Sequence, residues 1–156
     1  MIEIIQAETT EQIRAAQNLF REYEARRGLK LCFQNFDEEV AALPGKYAAS
    51  EGGQLFLAFA DGKLAGCIAL RKLADGVCEM KRLFVREDFR GRKIGQFTIE
   101  KLIAEAREIG YEKMRLDTFP PKMAKAVSLY ESYGFQEIAA YYHNPYGETL
   151  FMEKAL

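Results

Sequence analysis

Residues 78–102 read CEMKRLFVREDFRGRKIGQFTIEKL. A β-branched and apolar strand ends at Leu83-Phe84-Val85, and a short acidic turn follows at Glu87-Asp88. Arg90-Gly91-Arg92-Lys93-Ile94-Gly95 then leads directly into an amphipathic helix. Strand, Gly- and Arg-containing turn and helix start, in that order, gather several backbone N–H groups into one concave place. The first turn of a helix has N–H groups without an internal partner, and the helix dipole adds partial positive charge there. Such places receive phosphate. Arg86, Arg90, Arg92 and Lys93 add cations, so the turn predicts a phosphorylated ligand.

A second stretch, Ala126-Val127-Ser128-Leu129-Tyr130-Glu131-Ser132-Tyr133-Gly134-Phe135, predicts a helix closed by Gly134 as a left-handed cap. Pro120-Pro121 introduces it, where a missing N–H costs nothing. Together the two stretches resemble motifs A and B of the GNAT acyl-CoA N-acyltransferases. The family's pyrophosphate turn reads Arg/Gln-x-x-Gly-x-Gly/Ala. Arg90 and Gly95 hold the outer positions, and Lys93 stands where the middle glycine is expected. Lysine keeps its N–H, so the anion site survives if the backbone there tolerates a Cβ. Leu129-Tyr130 and Gly134-Phe135 match motif B, and Met123 stands where the family often has an asparagine. Leu129 reads as core. Tyr130 reads either as a buried ring on the same stripe or as a functional hydroxyl.

The chain has 156 residues, the size of one ordinary domain, and residues 1–156 are read as such. Apolar content of 49% with 29% charged residues suits a globular protein. A net charge of −1 supplies no global field for nucleic acid or an anionic membrane. The basic cluster at 81–93 suits a small polyanion better than a long one, and Glu87 and Asp88 interrupt it. Cys32, Cys67 and Cys78 lack CxxC spacing and accompany a single histidine, which argues against zinc or a disulfide framework. No metal is expected, and a reducing cytoplasm is the expected location. The start MIEIIQAETT lacks the basic and apolar regions of a signal peptide. The longest apolar run, Leu55 to Ala60, is too short to span a bilayer.

Periodicity predicts a strand over Ile2–Ala7, then a helix capped by Thr9 or Thr10, with Ile13, Ala16, Phe20 and Tyr23 on one face and Gly28 ending it. Asp37 opens a second helix through Leu43, stopped by Pro44-Gly45. Strands over Gln54–Ala60 and Lys63–Leu73 flank the hairpin signal Asp61-Gly62, and Asp75-Gly76 turns into Val77–Val85. The next helix runs to about Gly110 with Ile99, Leu102, Ile103, Ala106 and Ile109 inward. A strand over Lys113–Thr118, a helix over Met123–Tyr133 and a strand over Gly147–Glu153 complete the chain. This order is that of the GNAT fold. The resemblance therefore implies an α/β (α+β) architecture with a central mixed, mostly antiparallel sheet flanked by helices.

It also implies an activity, transfer of an acetyl group from acetyl-CoA to a primary amine, with a CoA-binding sensor or scaffold as the alternative. A lysine-like amine has a reference pKa of about 10.4, so a base must remove its proton before attack. Glu79, on the strand leading into the phosphate turn, stands where several family members carry a catalytic glutamate. Its other reading is a solvated or salt-bridged residue facing Lys81. By resemblance, a backbone N–H near Leu83 bonds the thioester carbonyl, and the pantetheine arm lies beside Leu83, Phe84 and Val85. The turn Arg90, Gly91, Arg92, Lys93, Ile94 and Gly95 takes the pyrophosphate. Tyr130 is the implied acid for the leaving thiolate, since a phenol's reference pKa of about 10 suits that proton.

Tyr141-Tyr142-His143-Asn144-Pro145-Tyr146-Gly147 crowds three tyrosines and the single histidine ahead of the last strand. Tyr141, Tyr142, His143 and Asn144 read either as contacts to a small polar acceptor or as a loop packing on its own sheet. His143 is an alternative base. The acceptor, whether small molecule or peptide, is not readable, and neither is the oligomeric state, a homodimer included.

Overall fold

The computed structural model of the chain describes residues 1–27 and 35–156, and every side chain among them except those of residues 122 and 123. Strand β1 (Ile2–Gln6) leads into helix α1 (Thr10–Arg27). Thr9 caps that helix: its Oγ1 accepts from the Gln12 N–H at 3.1 Å, while Gln12 Oε1 accepts from the Thr9 N–H at 3.0 Å. The reciprocal pair satisfies donors that the first helical turn leaves open. Helix α2 (Phe36–Ala41) stops short of the expected Leu43, because the chain bends into Pro44 and a 3-10 turn at Gly45–Tyr47. The expected helix stop at Gly28, and Cys32, lie outside the described residues.

Strands β2 (Gln54–Ala60) and β3 (Lys63–Ala74) meet at Asp61 and Gly62, whose φ values of 51° and 79° suit a tight hairpin. Strand β4 (Val77–Val85), helix α3 (Ile94–Ile109) and strand β5 (Lys113–Thr118) occupy the ranges the sequence predicts. Ile109, expected on the inner face of α3, is exposed because the helix ends at Gly110 immediately after it. Helix α4 (Pro120–Ser132) opens on the proline pair, and Gly134 closes it at φ 94°. Strand β6 (Gln136–Ile138) is an addition to the expected order. Strand β7 (Leu150–Ala155) begins at Leu150, not Gly147, because the Thr149 N–H bonds back to the Tyr146 carbonyl at 3.0 Å and holds those residues in a turn.

Among the described residues the strands form one seven-stranded sheet in the order β1-β2-β3-β4-β5-β7-β6. Every neighbouring pair is antiparallel except β4 with β5. On one face α1 and α2 bury Leu19, Phe20 and Phe36 against Leu55, Leu57, Cys67, Ala69 and Phe84. On the other, α3 and α4 bury Ile99, Leu102, Ile103 and Tyr130 against Ile68, Leu70, Met80, Met114 and Met152. Each leucine, isoleucine, phenylalanine and methionine among them contributes about 1.5–3 kcal/mol by leaving water. This is the mixed, mostly antiparallel sheet flanked by helices that the sequence predicts. No helix among the described residues is long and apolar enough to cross a membrane.

Beyond Glu79, β4 departs from both neighbours. Its parallel ladder with β5 pairs Val77–Glu79 with Lys113–Arg115 and then ends. On the β3 side, Cys67 faces Phe84 but Ala69 faces Lys81, so Ile68 lies opposite both Arg82 and Leu83. That extra residue is a β-bulge, and Arg82 takes φ 62° within it, a left-handed backbone uncommon for a residue with a Cβ. The Cys67 thiol donates to the Arg82 carbonyl at 3.4 Å. The guanidinium, almost wholly buried, donates to both oxygens of Glu39 on α2 at 2.9 and 3.0 Å and stacks over Phe36 and Tyr23. Burial pushes the Glu39 carboxyl up, but the hydrogen bonds and charge of Arg82, helped by Lys81, outweigh it and hold it below its ordinary value.

Removing one member of a buried ion pair is expensive because the other charge stays in the interior. Glu39→Ala should therefore lower the unfolding free energy by roughly 3–5 kcal/mol in a urea titration. A depressed folded pKa gives stability that is present above the carboxylate's ordinary value and lost as pH falls through the folded value. The gap between wild type and variant should accordingly close in strong acid. A gap that does not vary with pH would mean the loss is packing alone.

Candidate active site

The turn before α3 has the geometry of an anion site. After a 3-10 turn at Glu87–Phe89, Gly91 takes φ 83° and Lys93, the N-cap residue, takes φ 63° and ψ 21°. The left-handed conformation at 93 explains why a glycine is favoured there, and lysine adopts it nonetheless. No side chain caps α3, and its first backbone bond joins the Phe97 N–H to the Lys93 carbonyl, so the N–H groups of Ile94, Gly95 and Gln96 precede the helical ladder. A Cβ built at Gly95 would touch only Val85 Cγ2, at 3.9 Å. Packing within the chain does not demand glycine at this position.

The side chains around the turn divide into two groups. Arg90, Arg92 and Lys93 are exposed, with Arg92 over the Phe89 ring and 3.5 Å from Asp61. Arg86, counted among the phosphate cations by sequence, is engaged elsewhere. It donates to both Glu22 oxygens and to the Leu64 carbonyl, binding β4's end to α1. Ile94 and Phe84 are buried in the core, so of these two residues only the backbone is available to a ligand. A depression of about 760 Å³ lies between β1 and the start of α3, lined by Ile2, Ala60, Asp61, Arg92, Phe97 and Lys101, away from the open edge of β4.

That open edge forms a narrow cleft of about 20 Å³ lined by Tyr23, Met80, Lys81, Arg82, Leu83, Leu116, Asp117 and Tyr130. Tyr130 reaches it from α4, buried and edge-on to Phe135 at 6.0 Å. It is thus both a core ring and a cleft residue. Beyond β4, the face that bears α1 and α2 carries no further described helix, and polar side chains fill it. Arg71, Glu79, Arg115 and Glu153 are successive cross-strand partners on β3, β4, β5 and β7. Arg71 Nε donates to Glu79 Oε1 at 2.7 Å and Arg115 Nε to Glu153 Oε2 at 2.8 Å. Lys81 and Asp117 lie one step further along the same face.

Glu79 is 1% exposed. The salt-bridged reading of this residue holds, chiefly with Arg71, while Lys81 Nζ stands at 3.9 Å. Burial pushes its carboxyl up, but the charges of Lys81 and Arg71 and the bonds from Tyr141 and Arg71 hold it below the ordinary value, so it is anionic at neutral pH. Burial and the charge of Arg82 push the Lys81 ammonium down to about 8, against the pull of Glu79 and Asp117.

The tyrosine-rich loop covers this row. Tyr141 Oη donates to Glu79 Oε2 at 2.5 Å, its ring lies 5.3 Å from the Arg115 guanidinium, and it packs edge-on to Phe151. Tyr142 donates to Asp117, and Asn144 Nδ2 donates to the Tyr142 hydroxyl at 3.0 Å. Asn144 Oδ1 accepts from the Tyr146 N–H at 2.8 Å, which shapes the turn. His143 is exposed and forms no hydrogen bond or ion pair among the described residues. The structure shows the loop packed on its own sheet: its rings lie against Phe151 and two hydroxyls reach strand carboxylates. Asp117, Arg115 and Arg71 were not singled out by sequence. The alternation in Lys113–Thr118, where Met114, Leu116 and Thr118 are buried, was the available signal for a polar face.

Residues 11–135 match the acetyltransferase (GNAT) family. An uncharacterised N-acetyltransferase of Schizosaccharomyces pombe is 38% identical over 135 residues, covering 86% of this chain and 82% of that protein. An acetyltransferase of the GNAT family from Staphylococcus aureus superposes with a TM-score of 0.81 at 22% identity, covering 99% of both chains. The PaiA N-acetyltransferase of Thermoplasma acidophilum, solved with coenzyme A, gives a TM-score of 0.72 at 20% identity, with 100% of this chain and 99% of that one covered.

The left-handed backbone at Lys93 costs a residue with a Cβ about 1–2 kcal/mol. Lys93→Gly should relieve it and return about 0.4–1 kcal/mol through the freer unfolded chain. The net expectation is a small rise in melting temperature. A clear fall would show that the lysine side chain stabilises the turn by more than its backbone strain.

Proposed function

The chain belongs to the GNAT acetyltransferase family and is an acyltransferase; from that premise we propose that it transfers an acetyl group from acetyl-CoA to a primary amine. The observation that carries the reading is the open edge of β4, which runs from a buried carboxylate at Glu79 to an uncapped helix start at Ile94. Backbone N–H groups of the turn 90–95, with Arg90, Arg92 and Lys93 around them, fit a pyrophosphate. Main chain at Leu83, Phe84 and Val85, without a β5 partner, fits the amide groups of a pantetheine arm added as a pseudo-strand. The N–H near Leu83 is the donor for the acetyl oxygen.

Two side chains take the proton work in this reading. Glu79 is the base that receives the acceptor's proton, and Tyr130, in the cleft beside Leu83, is the acid that protonates the departing sulfur. Tyr141, Tyr142, His143 and Asn144 frame the acceptor's entry. The acceptor is a small-molecule or peptide amine, and the buried free thiols Cys67 and Cys78 suit a reducing cytoplasm. An acceptor panel read by release of free thiol tests the reading. Acetyl-CoA binding with every amine inert would leave a CoA-binding module instead.

Gly95→Val separates ligand from fold. The added side chain has room within the protein yet fills the approach to the helix start, so acetyl-CoA affinity by calorimetry should be lost while the melting temperature stays close to wild type. Undiminished affinity would remove the phosphate site from this turn.

Tyr130→Phe keeps the ring against Phe135 and removes the acid. kcat and kcat/KM should fall together by ~10²-fold, because the interaction acts in the transition state. A donor with a more acidic thiol should restore most of the rate. A variant that loses stability but keeps its rate per folded molecule would make the hydroxyl a core group only.

A further inference from the structure

Glu79 faces a difficulty as the proton acceptor of this transferase reading. Its carboxylate is 1% exposed, Arg71 occupies Oε1 at 2.7 Å, and Oε2 is covered by the Tyr141 hydroxyl at 2.5 Å. Tyr141, unlike the carboxylate, is only half-buried and is the member of the pair open to solvent. We propose that Tyr141 is a catalytic proton relay: its hydroxyl oxygen takes the proton from the acceptor nitrogen while its own proton passes to Glu79 Oε2.

The electron and proton count closes. The acceptor ammonium gives one proton to Tyr141 Oη as the phenolic proton passes to Glu79, and the lone pair this frees forms the N–C bond to the acetyl carbon. Collapse breaks the C–S bond, the sulfur keeps the pair, and Tyr130 gives it a proton. Glu79 returns its proton to solvent through Tyr141, and the second nitrogen proton replaces the one Tyr130 gave, so of the two protons the nitrogen loses one reaches solvent and one becomes the thiol proton. Burial and the charge of Glu79 push the ionisation of Tyr141 well up, so both protons move together and no phenolate accumulates. Arg71 on β3, Lys81 on β4 and Arg115 and Asp117 on β5 are the charged groups around the pair, and Arg71 and Lys81 keep Glu79 ready as an anion. The neighbouring hydroxyl of Tyr142 donates to Asp117. The ring of Tyr141 is fixed by Phe151 and by Arg115, which limits the reorientation the relay needs to the hydroxyl hydrogen.

The test uses acetyl-CoA with cadaverine, glycinamide and methoxyamine, three amines of falling basicity, followed by thiol release at pH 7. Tyr141→Phe should slow cadaverine by ~10²-fold, glycinamide less, and methoxyamine, already neutral, hardly at all. Glu79→Gln should show the same gradation, and the double variant should be no slower than the slower single one. Equal losses on all three amines, losses that multiply, or a Phe variant as fast as wild type would each overturn the relay. Wild type that binds acetyl-CoA but acetylates none of the amines would overturn the transferase reading and the relay with it. If Tyr141→Phe melts early, the proton inventory of the wild type in mixed H2O and D2O decides. A curved dependence on deuterium fraction reports two protons in flight, and a straight line overturns the relay.

Discussion

Arg82 brings a full positive charge into the interior, and its pairing with Glu39 is the interaction on which the working part of the sheet depends. An unpaired guanidinium at that depth would cost several kcal/mol, and the left-handed φ of 62° adds its own strain. Both are tolerated because the bidentate bond to Glu39, the rings of Tyr23 and Phe36 and the thiol of Cys67 hold the bulge from three elements. The bulge turns β4 out of line just beyond the point where its ladder with β5 ends, and the main chain at Leu83 to Val85 is left without a β5 partner. The helix α2, too short to be stable alone, is held by the same contact together with the burial of Phe36 and Val40.

Electrostatics on the α1–α2 face follow from where the helices stop. Apolar side chains from α1 and α2 close the sheet over β2 and β3, and the next strands carry alternating charges instead. Arg71, Glu79, Arg115 and Glu153 compensate one another across strands, as opposite charges do when directly opposed. Glu79 can therefore remain ionised almost out of contact with water. The aromatic loop above it excludes solvent and supplies a hydroxyl in exchange. A carboxylate in water would be hydrated and broadly indifferent to which proton it met; one held between Arg71 and Tyr141 is addressed from a single direction.

What was readable in the sequence is what local chemistry decides. Asp61-Gly62 makes its hairpin whatever surrounds it, Thr9 with Gln12 makes its cap, and Arg90 to Gly95 makes its turn. Alternation and turn residues bound β2, β4 and β5 on both sides, so their ranges are readable in the sequence. Three-residue β6 escaped because it carries no period and exists only by pairing with β7. Glu79, Tyr130 and the turn 90–95 can be named from the sequence as candidates, whereas Arg86 reads as a phosphate cation although Glu22 holds it. The pairs Arg82–Glu39, Arg71–Glu79 and Tyr141–Glu79 were not visible, since each depends on register or on a fold-back that no short window contains. Lys93 taught the reverse lesson. A residue that departs from an expected glycine still adopts the glycine's backbone, because the turn is set by its neighbours.

The short parallel ladder has a mechanical side. Strands β1 to β4 form one plate and β5 to β7 another, and the sheet bonds that join them are those of Val77–Glu79 with Lys113–Arg115. A sheet stitched over so few residues is joined across that seam chiefly by side chains, with α3 and α4 burying one shared core behind both plates. The amides of Cys78 and Glu79 lie in that seam, where few ladder bonds protect them from hydrogen exchange.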